Sequence, residues 1–480
     1  MTWLGAYLAL HLSAAAPAQA ATVAVEREVP TRPPPPPTAV PAPAEDLVDE
    51  ILPCGLRLVV ARDRSLPVAA VAVVLPLGPV HDPPDRPGWS TQLAYQVLEG
   101  NRHMPPGGWA AFAHDAGGTA TLAQSWGRTR FEMVIPRAAL DDALDLAASI
   151  FEAPTVTRAT AARAQALAAT ARRRSMASKV PASVRAAVHG IRPPPLAPPE
   201  RSGDFDEAAL AKIRADLARQ VRPERSVLVV VSDLPIDEAA AAARRAFATL
   251  PAVTAPPRPA GPRPSGQPSP TRIDGDTDGR TWVVGAVPAD RTSIEVARIL
   301  CRTVNRLPAG KGTDRRVSMA CHLDEDPDYP VLLVRTKGVV PRKAPAAVAE
   351  RLRAIARGTV ARSLTERQRR IVHAGLASDA SMAIGLVRLL ATRPFGAPPP
   401  AGLDDAVGLA RLSDPEAVGR TAEALLRRTT WAYVPARIRP RGRKGRARPP
   451  ASPAPKPARP RAPKRRTKPL PAGLGRREVP

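Results

Sequence analysis

The chain contains 480 residues with a formal net charge of +26, 59 prolines and only 3% aromatic residues. Its length excludes a single ordinary domain, and its hydrophobic fraction of 44% excludes a wholly disordered chain. The charge is uneven, because residues 437–480 carry sixteen lysines or arginines against one acid, which gives +15 and leaves +11 for the rest.

The first 46 residues predict an exported protein. Residues 1–20 are largely apolar and end in Ala18-Gln19-Ala20, a small-x-small pattern typical of signal-peptide cleavage. Residues 21–46 contain a run of five prolines and predict a proline-rich linker. Since no other stretch is apolar and long enough to span a bilayer, we expect a periplasmic or secreted protein that is not transmembrane.

Residues 47–250 predict a first domain that mixes strands and helices. Alternating apolar runs over 56–60 and 68–74 predict two strands, which Asp63-Arg64-Ser65 would join as a β-hairpin. Further along, apolar residues at helical or strand spacing predict both kinds of element. The predicted helices cover the stretch between Gly88 and Gly100, 138–152, about 157 onward, 206–220 and 236–250, and the predicted strands cover 131–135 and 226–231.

Residues 251–270 are rich in Pro, Gly and Ser and predict an inter-domain linker. A second domain is predicted over 271–436, and its strands and helices follow an order similar to that of the first, which indicates an internal repeat. The predicted strands cover 281–287, 331–336 and 431–434, and the predicted helices cover 294–304, 344–356, about 364–393 and 413–428.

Residues 437–480 predict a disordered basic, Pro-rich tail, because they contain too little apolar surface to offset chain entropy. Such a tail attracts polyanions, and in an exported protein the polyanion would be an anionic envelope surface. The tail has no interleaved aromatic residues, so it does not predict specific nucleic-acid binding. A solvated spacer without a dedicated ligand is the open alternative.

Three cysteines are present, Cys54, Cys301 and Cys321. We favour the interpretation that all three are small buried apolar residues. A Cys301–Cys321 disulfide is the alternative in an oxidising compartment.

Five segments, taken in order, resemble the insulinase/pitrilysin family of metallopeptidases. They cover 52–60, 77–88, 117–129, 138–154 and 226–251, and they include the opening strand Leu52-Pro53-Cys54-Gly55-Leu56-Arg57-Leu58-Val59-Val60 and the hairpin start Gly117-Gly118-Thr119. The resemblance implies an α/β fold of two similar domains, each a mostly antiparallel sheet packed by helices. It covers about residues 48 to 436 and is strongest in the first half.

Active members of this family bind zinc through H-x-x-E-H on the helix that follows a glycine. Two histidines one helical turn apart hold the ion, and the glutamate polarises the attacking water. Aligning Gly88 and Gly100 with the family's glycines places Thr91, Ala94 and Tyr95 at those positions. The family's third ligand, a Glu in the next long helix, also has no counterpart, because residues 153–199 contain no acid. We therefore predict no catalytic residues, metal or cofactor.

Peptide binding does not require the missing zinc ligands, so a binding role is still predicted. The strand of Gly117, Gly118, Thr119, Ala120 and Thr121 is predicted to hold an extended peptide by β-augmentation. The resemblance implies that the partner is a catalytic family member in a hetero-oligomer, since catalytic and ligand-lacking chains of this family commonly pair.

Two alternatives to this binding role stay open. The first is an active zinc peptidase with displaced ligands, for which His103, His114 and Glu99 are the candidates. The second is a protein that uses its basic tail to bind the envelope surface.

Overall fold

The computed structural model describes residues 47–175 without 84, 185, 188–190, 205–253, 271–272, 281–307, 318–393 without 338, and 399–435 without 413 and 430. The predicted signal peptide, the N-terminal linker, most of the inter-domain linker and the basic tail lie outside the described residues.

Six strands of the described chain form the first sheet: β1 (Leu47–Ile51), β2 (Arg57–Arg62), β3 (Val68–Leu75), β4 (Thr119–Gln124), β5 (Thr129–Pro136) and β6 (Val227–Ser232). Their order is β1-β2-β6-β3-β5-β4, and only β2 and β6 pair in parallel. The accompanying helices are α1 (Trp89–Leu98), α2 (Gly108–Asp115), α3 (Leu140–Ser149), α4 (Arg158–Ser175), α5 (Glu207–Gln220) and α6 (Ile236–Phe247).

The predicted hairpin between the first two long strands is wrong, because β6 lies between β2 and β3. The run Val227-Leu228-Val229-Val230-Val231 of β6 is apolar throughout and buried throughout. A strand that is apolar on both faces buries the most apolar surface in the middle of a sheet that is covered on both faces. This favours a position between two other strands.

The second sheet contains β7 (Thr271–Arg272), β8 (Thr281–Ala286), β9 (Ser318–Asp324), β10 (Val331–Lys337) and β11 (Trp431–Val434). Their order is β7-β11-β8-β10-β9. The helices of this half are α7 (Arg291–Arg306), α8 (Ala344–Ala356), α9 (Arg362–Ala380), α10 (Ala383–Ala391), α11 (Leu403–Val407), α12 (Leu409–Leu412) and α13 (Pro415–Arg428).

The two sheets repeat one topology. The order β2-β6-β3-β5-β4 matches β7-β11-β8-β10-β9. In each set of five the single parallel pair joins the first strand along the chain to the last, β2 to β6 and β7 to β11, and β1 is an addition to the first sheet. The predicted α/β architecture with mostly antiparallel sheets is therefore confirmed. Both sheets belong to one compact unit, and the predicted domain boundaries at 47–250 and 271–436 stay predictions.

The first sheet is buried on both faces. Ala69, Val71 and Val73 of β3 pack in the core formed with the helices of the first half, whereas Ala70 and Ala72 belong to a core shared with the second half. Helix α10 lies against β3 and β6 on that second face. Because both faces of these strands are covered, β3 and β6 are apolar at consecutive positions.

Three further outcomes differ from the sequence predictions. The helix expected over 364–393 is two helices, α9 and α10, and the strand β9 and the helix α2 were not predicted. Cys301 and Cys321 form a disulfide, so the favoured prediction of three unpaired cysteines is wrong for this pair, while Cys54 is buried and free. Packing of α7 on β9 brings the two Cα atoms to 5.1 Å, within disulfide range.

Among the described residues no single helix has both the length and the apolar character needed to cross a membrane. Helices α9 and α10 pass that test only when counted as a pair, and they are bent by 109° at their break.

Candidate functional site

Helix α1 carries the three positions that the family resemblance assigns to zinc chemistry. Gly88 precedes the helix with φ +86°, a left-handed conformation that favours glycine. Thr91 and Ala94 are buried within the helix, and Tyr95 is partly exposed.

The Thr91 hydroxyl takes part in a chain of hydrogen bonds between α1 and the sheet. Thr91 Oγ1 donates to Gln124 Oε1 at 2.6 Å, and Gln124 Nε2 donates to Thr129 Oγ1 at 3.0 Å. The Thr129 hydroxyl in turn donates to the carbonyl of Leu77. These groups satisfy one another, so the hydroxyl at the first motif position serves as a tie between helix and strand.

Helix α4, in which the resemblance implies the family's third ligand, packs against α1. Its buried side chains among the described residues are Thr160 and the methyl groups of Ala161, Ala164, Ala168 and Ala169. Gln96 Nε2 of α1 donates to Thr160 Oγ1 at 3.1 Å, close to the start of α4. The contacts between the two helices thus involve hydroxyl and amide groups, together with the ion pair between Arg163 of α4 and Glu99 at the end of α1.

The structure does not bring the displaced-ligand candidates together. Glu99 is buried and ion-paired with Arg163 at 2.7 Å, and His103 lies 3.5 Å from Glu152 instead. His114 is on the exposed surface of α2. Within the described part of the chain, no group of three His, Cys, Asp or Glu side chains is placed to share a metal ion.

Strand β4 is the outer strand of the first sheet, and its register fixes which backbone groups face outward. Ser125 N donates to Arg128 O at 2.9 Å, which makes these two residues a hydrogen-bonded pair of the β4–β5 hairpin. In an antiparallel ladder such pairs alternate with pairs whose N–H and C=O groups point away from the partner strand. Counting back from Ser125, the outward residues are Ala120, Leu122 and Gln124.

Gly118 precedes Ala120 by two residues, so its backbone N–H and C=O also point away from β5. Its N–H donates to the carbonyl of Ala113 in α2 at 2.7 Å. Helix α2 therefore blocks the outer edge at Gly118, immediately before β4. From Ala120 onward, no hydrogen bond joins the outward backbone groups of β4 to another described residue. The open edge thus begins at Ala120.

Only one of the five predicted binding residues lies on this open edge. Gly117 is a turn residue with φ +80°, the Gly118 N–H is already bonded, and the backbones of Thr119 and Thr121 face β5. Ala120 alone points outward, and its backbone has no hydrogen bond to another residue of the described ranges. Sequence reasoning missed Leu122 and Gln124, although the two-residue loop Trp126-Gly127 could have indicated the register.

A charged cluster lies on the face of the sheet next to β4. Glu132 is buried and ion-paired with Arg130 and with Arg388 of α10, the latter at 3.1 Å. Thr121 Oγ1 also donates to the Glu132 carboxylate at 3.1 Å. Since the Arg388 side chain is 50% exposed, the cluster presents one guanidinium to solvent beside the edge strand.

The loops that follow β4 and β9 meet between the two halves. Arg128 Nε donates to Asp328 at 2.7 Å, and Arg128 Nη1 donates to the carbonyls of Ala391 and Arg393. The Trp126 and Tyr329 rings pack edge to face at 4.9 Å. This junction fixes the end of β4 relative to the second half.

Arg185 and His189, which follow α4 in the chain, also contribute to this junction. Arg185 Nη1 donates to the carbonyl of Tyr329 at 3.0 Å, and His189 Nε2 lies 3.2 Å from the carbonyl of Pro330. Burial lowers the pKa of His189 to about 4, and the positive charge of Arg185 adds to this shift. Burial also raises the pKa of Tyr329 to about 12, with a further contribution from Asp328.

No protein-family model and no curated protein matches the chain. Solved structures match its fold. A protease from Helicobacter pylori covers 82% of this chain and 100% of its own, with a TM-score of 0.57 and 14% identity. The first half of the periplasmic protease PqqL from Escherichia coli covers 82% and 92%, with a TM-score of 0.55 and 15% identity.

An inactive domain of peptidase M16 from Pseudomonas fluorescens also matches, over 82% of this chain and 98% of its own, with a TM-score of 0.53 and 16% identity. The chain therefore has the fold of the M16, or pitrilysin-type, peptidases. The resemblance that the sequence predicted is confirmed at the level of the fold.

Proposed function

We propose that this protein is a non-catalytic, peptide-binding homologue of the pitrilysin-type peptidases. It would act in the periplasm or outside the cell as the partner subunit of a catalytic relative. The observation that supports the proposal is the content of helix α1, where the register of the resemblance assigns a hydroxyl, a methyl and a phenol to the positions of the zinc ligands and base.

Zinc, which the family resemblance implies, does not fit these residues. A zinc site needs three or four nitrogen, sulfur or carboxylate oxygen ligands about 2 Å from the ion. Thr91 is hydrogen-bonded to Gln124, Ala94 has no donor atom, and the buried side chains of α4 among the described residues are alanines and Thr160. We therefore derive no hydrolytic step for this chain.

The open edge of β4 supports the peptide-binding part of the proposal. Unpaired N–H and C=O groups on an outer strand accept an extended peptide as an additional strand. Here the groups at Ala120, Leu122 and Gln124 recur at every second residue, which is the spacing that such a peptide requires. Arg388 beside the strand favours a peptide with an acidic side chain on that face.

Two of the structural relatives support the subunit role. The Pseudomonas fluorescens structure is described as an inactive domain, and the Escherichia coli structure is the first half of a longer protease. A non-catalytic chain of this fold would thus form one half of a two-part assembly. Co-purification from the native cells tests this, and recovery of the chain without any zinc-competent relative would contradict it.

The absence of catalysis is tested on the purified full-length chain. We expect far less than one zinc per chain by elemental analysis, and no cleavage of unfolded peptides with or without added zinc. Stoichiometric zinc together with peptide cleavage that chelation abolishes would refute the proposal.

The peptide site is tested by Ala120→Pro, which removes an outward N–H without breaking a bond to β5. We expect at least about a tenfold loss of affinity for an extended, proline-free peptide, measured by fluorescence anisotropy. Ala120→Val is the matched control, because it keeps the N–H and favours the strand. Equal affinities of the two variants would exclude β4 as the site.

The basic tail supports a second, additive role at an anionic surface. Its sixteen cations would bind acidic lipid vesicles, and the binding would weaken as salt screens the charges. Deletion of residues 440–480 should abolish this binding. Salt-insensitive binding that survives the deletion would remove this role.

A further inference from the structure

Strand β9 is the outer strand of the second sheet, in the position that β4 holds in the first. Asn305, near the end of α7, reaches its backbone with both side-chain atoms. Its Oδ1 accepts the N–H of Cys321 at 2.7 Å, and its Nδ2 donates to the carbonyl of Cys321 at 2.7 Å. One carboxamide therefore makes the same two bonds that a neighbouring strand would make to this residue.

The two bonds also define the outward side of β9. A residue whose N–H and C=O both bond to Asn305 points away from β10, and the alternation places Met319 and Leu323 on the same outer edge. Cys321 is the central residue of the seven in Ser318–Asp324. Asn305 thus covers the middle of the outer edge.

The disulfide holds this cap in place. Cys301 and Asn305 are four residues apart on α7 and so lie on the same face of the helix. The covalent bond from Cys301 to Cys321 fixes that face against β9. Both cysteines are buried, with 4% and 7% exposure, so the tie is protected from solvent.

We propose that β9 is a self-pairing edge strand that Asn305 and the Cys301–Cys321 disulfide keep closed. The strand that would add to it is β9 of a second copy, in antiparallel orientation about a two-fold axis at Cys321. In that arrangement Ser318 lies opposite Asp324 of the other copy and no like charges meet. The Asn305 side chain lies at Cys321, on the axis of this pairing, and occupies the backbone groups that the second copy would need. The native chain therefore does not associate through its second sheet.

The test is the self-association of the variant Asn305→Ala with Cys301→Ser and Cys321→Ser. Sedimentation equilibrium between about 1 and about 100 µM should show at least about tenfold stronger dimerisation than the native chain. Asn101→Ala is the matched control. Asn101 also bonds backbone groups with both side-chain atoms, the carbonyl of Ser149 and the N–H groups of His103 and Met104, but it lies in the loop after α1 and not on a strand.

Adding Met319→Pro removes an outward N–H of β9 and should return the triple variant to the native association state. If the triple variant does not fold, Asn305→Ala with the disulfide intact decides the question by the same measurement. A folded variant with native helicity and no gain in dimerisation would overturn the proposal. Dimerisation that persists with Met319→Pro, or that Asn101→Ala produces equally, would overturn it as well. None of these outcomes depends on whether β4 binds peptide.

Discussion

The two sheets share one strand order but treat their outer strands differently. In the first sheet a hydrogen bond from Thr91 to Gln124 ties helix α1 to β4, and the edge beyond Gly118 is open. In the second sheet a disulfide ties α7 to β9, and Asn305 covers the edge. A repeated fold can therefore hold one accessible edge and one blocked edge, and the difference lies in a few side chains at the helix–strand contact.

The junction between the halves gives the largest expected effect. Arg128 is 2% exposed, and Arg128→Ala removes the donor to the Asp328 carboxylate and to the carbonyls of Ala391 and Arg393. We expect a loss of about 3–5 kcal/mol in the free energy of unfolding, measured with urea. Arg420→Ala, at an exposed ion pair with Asp414, is the control and should cost at most about 1 kcal/mol. Similar losses for both would mean that the junction does not hold the halves together.

The covalent tie of the second sheet comes next. Replacing both Cys301 and Cys321 with Ser should lower the free energy of unfolding by about 3 kcal/mol, because the bond closes a loop with a sequence separation of 20. Dithiothreitol should reduce the stability of the native chain in urea and leave the double variant unchanged. If the reductant affects both proteins alike, the disulfide does not stabilise the second sheet.

His189 makes the contact between the halves sensitive to acid. Because its pKa is about 4 in the folded chain and near 6.5 when unfolded, only the unfolded chain binds this proton between those values. Stability should therefore fall as the pH falls through this window, by about 2 kcal/mol from pH 7 to pH 5. His189→Gln should remove this part of the loss in urea titrations, whereas His103→Gln, at an exposed site, should retain it. Equal pH dependence in the two variants would contradict the assignment.

The tie of the first sheet should give the smallest effect. Thr91→Val keeps the shape but leaves Gln124 Oε1 without its donor, and it should cost about 1–2 kcal/mol. Thr119→Val, an exposed position on β4, should stay within about 0.5 kcal/mol. A cost for Thr91→Val equal to that of losing the disulfide would remove the contrast between the two ties.

Local sequence patterns predicted the elements well where burial follows a period. The alternating Phe131, Met133 and Ile135 predicted β5, and the spaced Leu140, Leu144 and Ala147 predicted α3. The ordered segments also predicted the family fold. The sequence analysis missed β9, although Met319, Cys321 and Leu323 alternate with the polar Ser318, His322 and Asp324.

The sequence by itself determined most of the helices and strands and the family fold, and it predicts that Thr91, Ala94 and Tyr95 of α1 stand where zinc chemistry would need other side chains. Tertiary structure alone decided that β6 separates β2 from β3, that Ala120 faces outward while Thr121 does not, and that Asn305 covers Cys321. The first kind of information lies in the spacing of neighbouring residues, since burial follows the period of the element. The second depends on which distant segments become neighbours and in which register, and local spacing does not encode this.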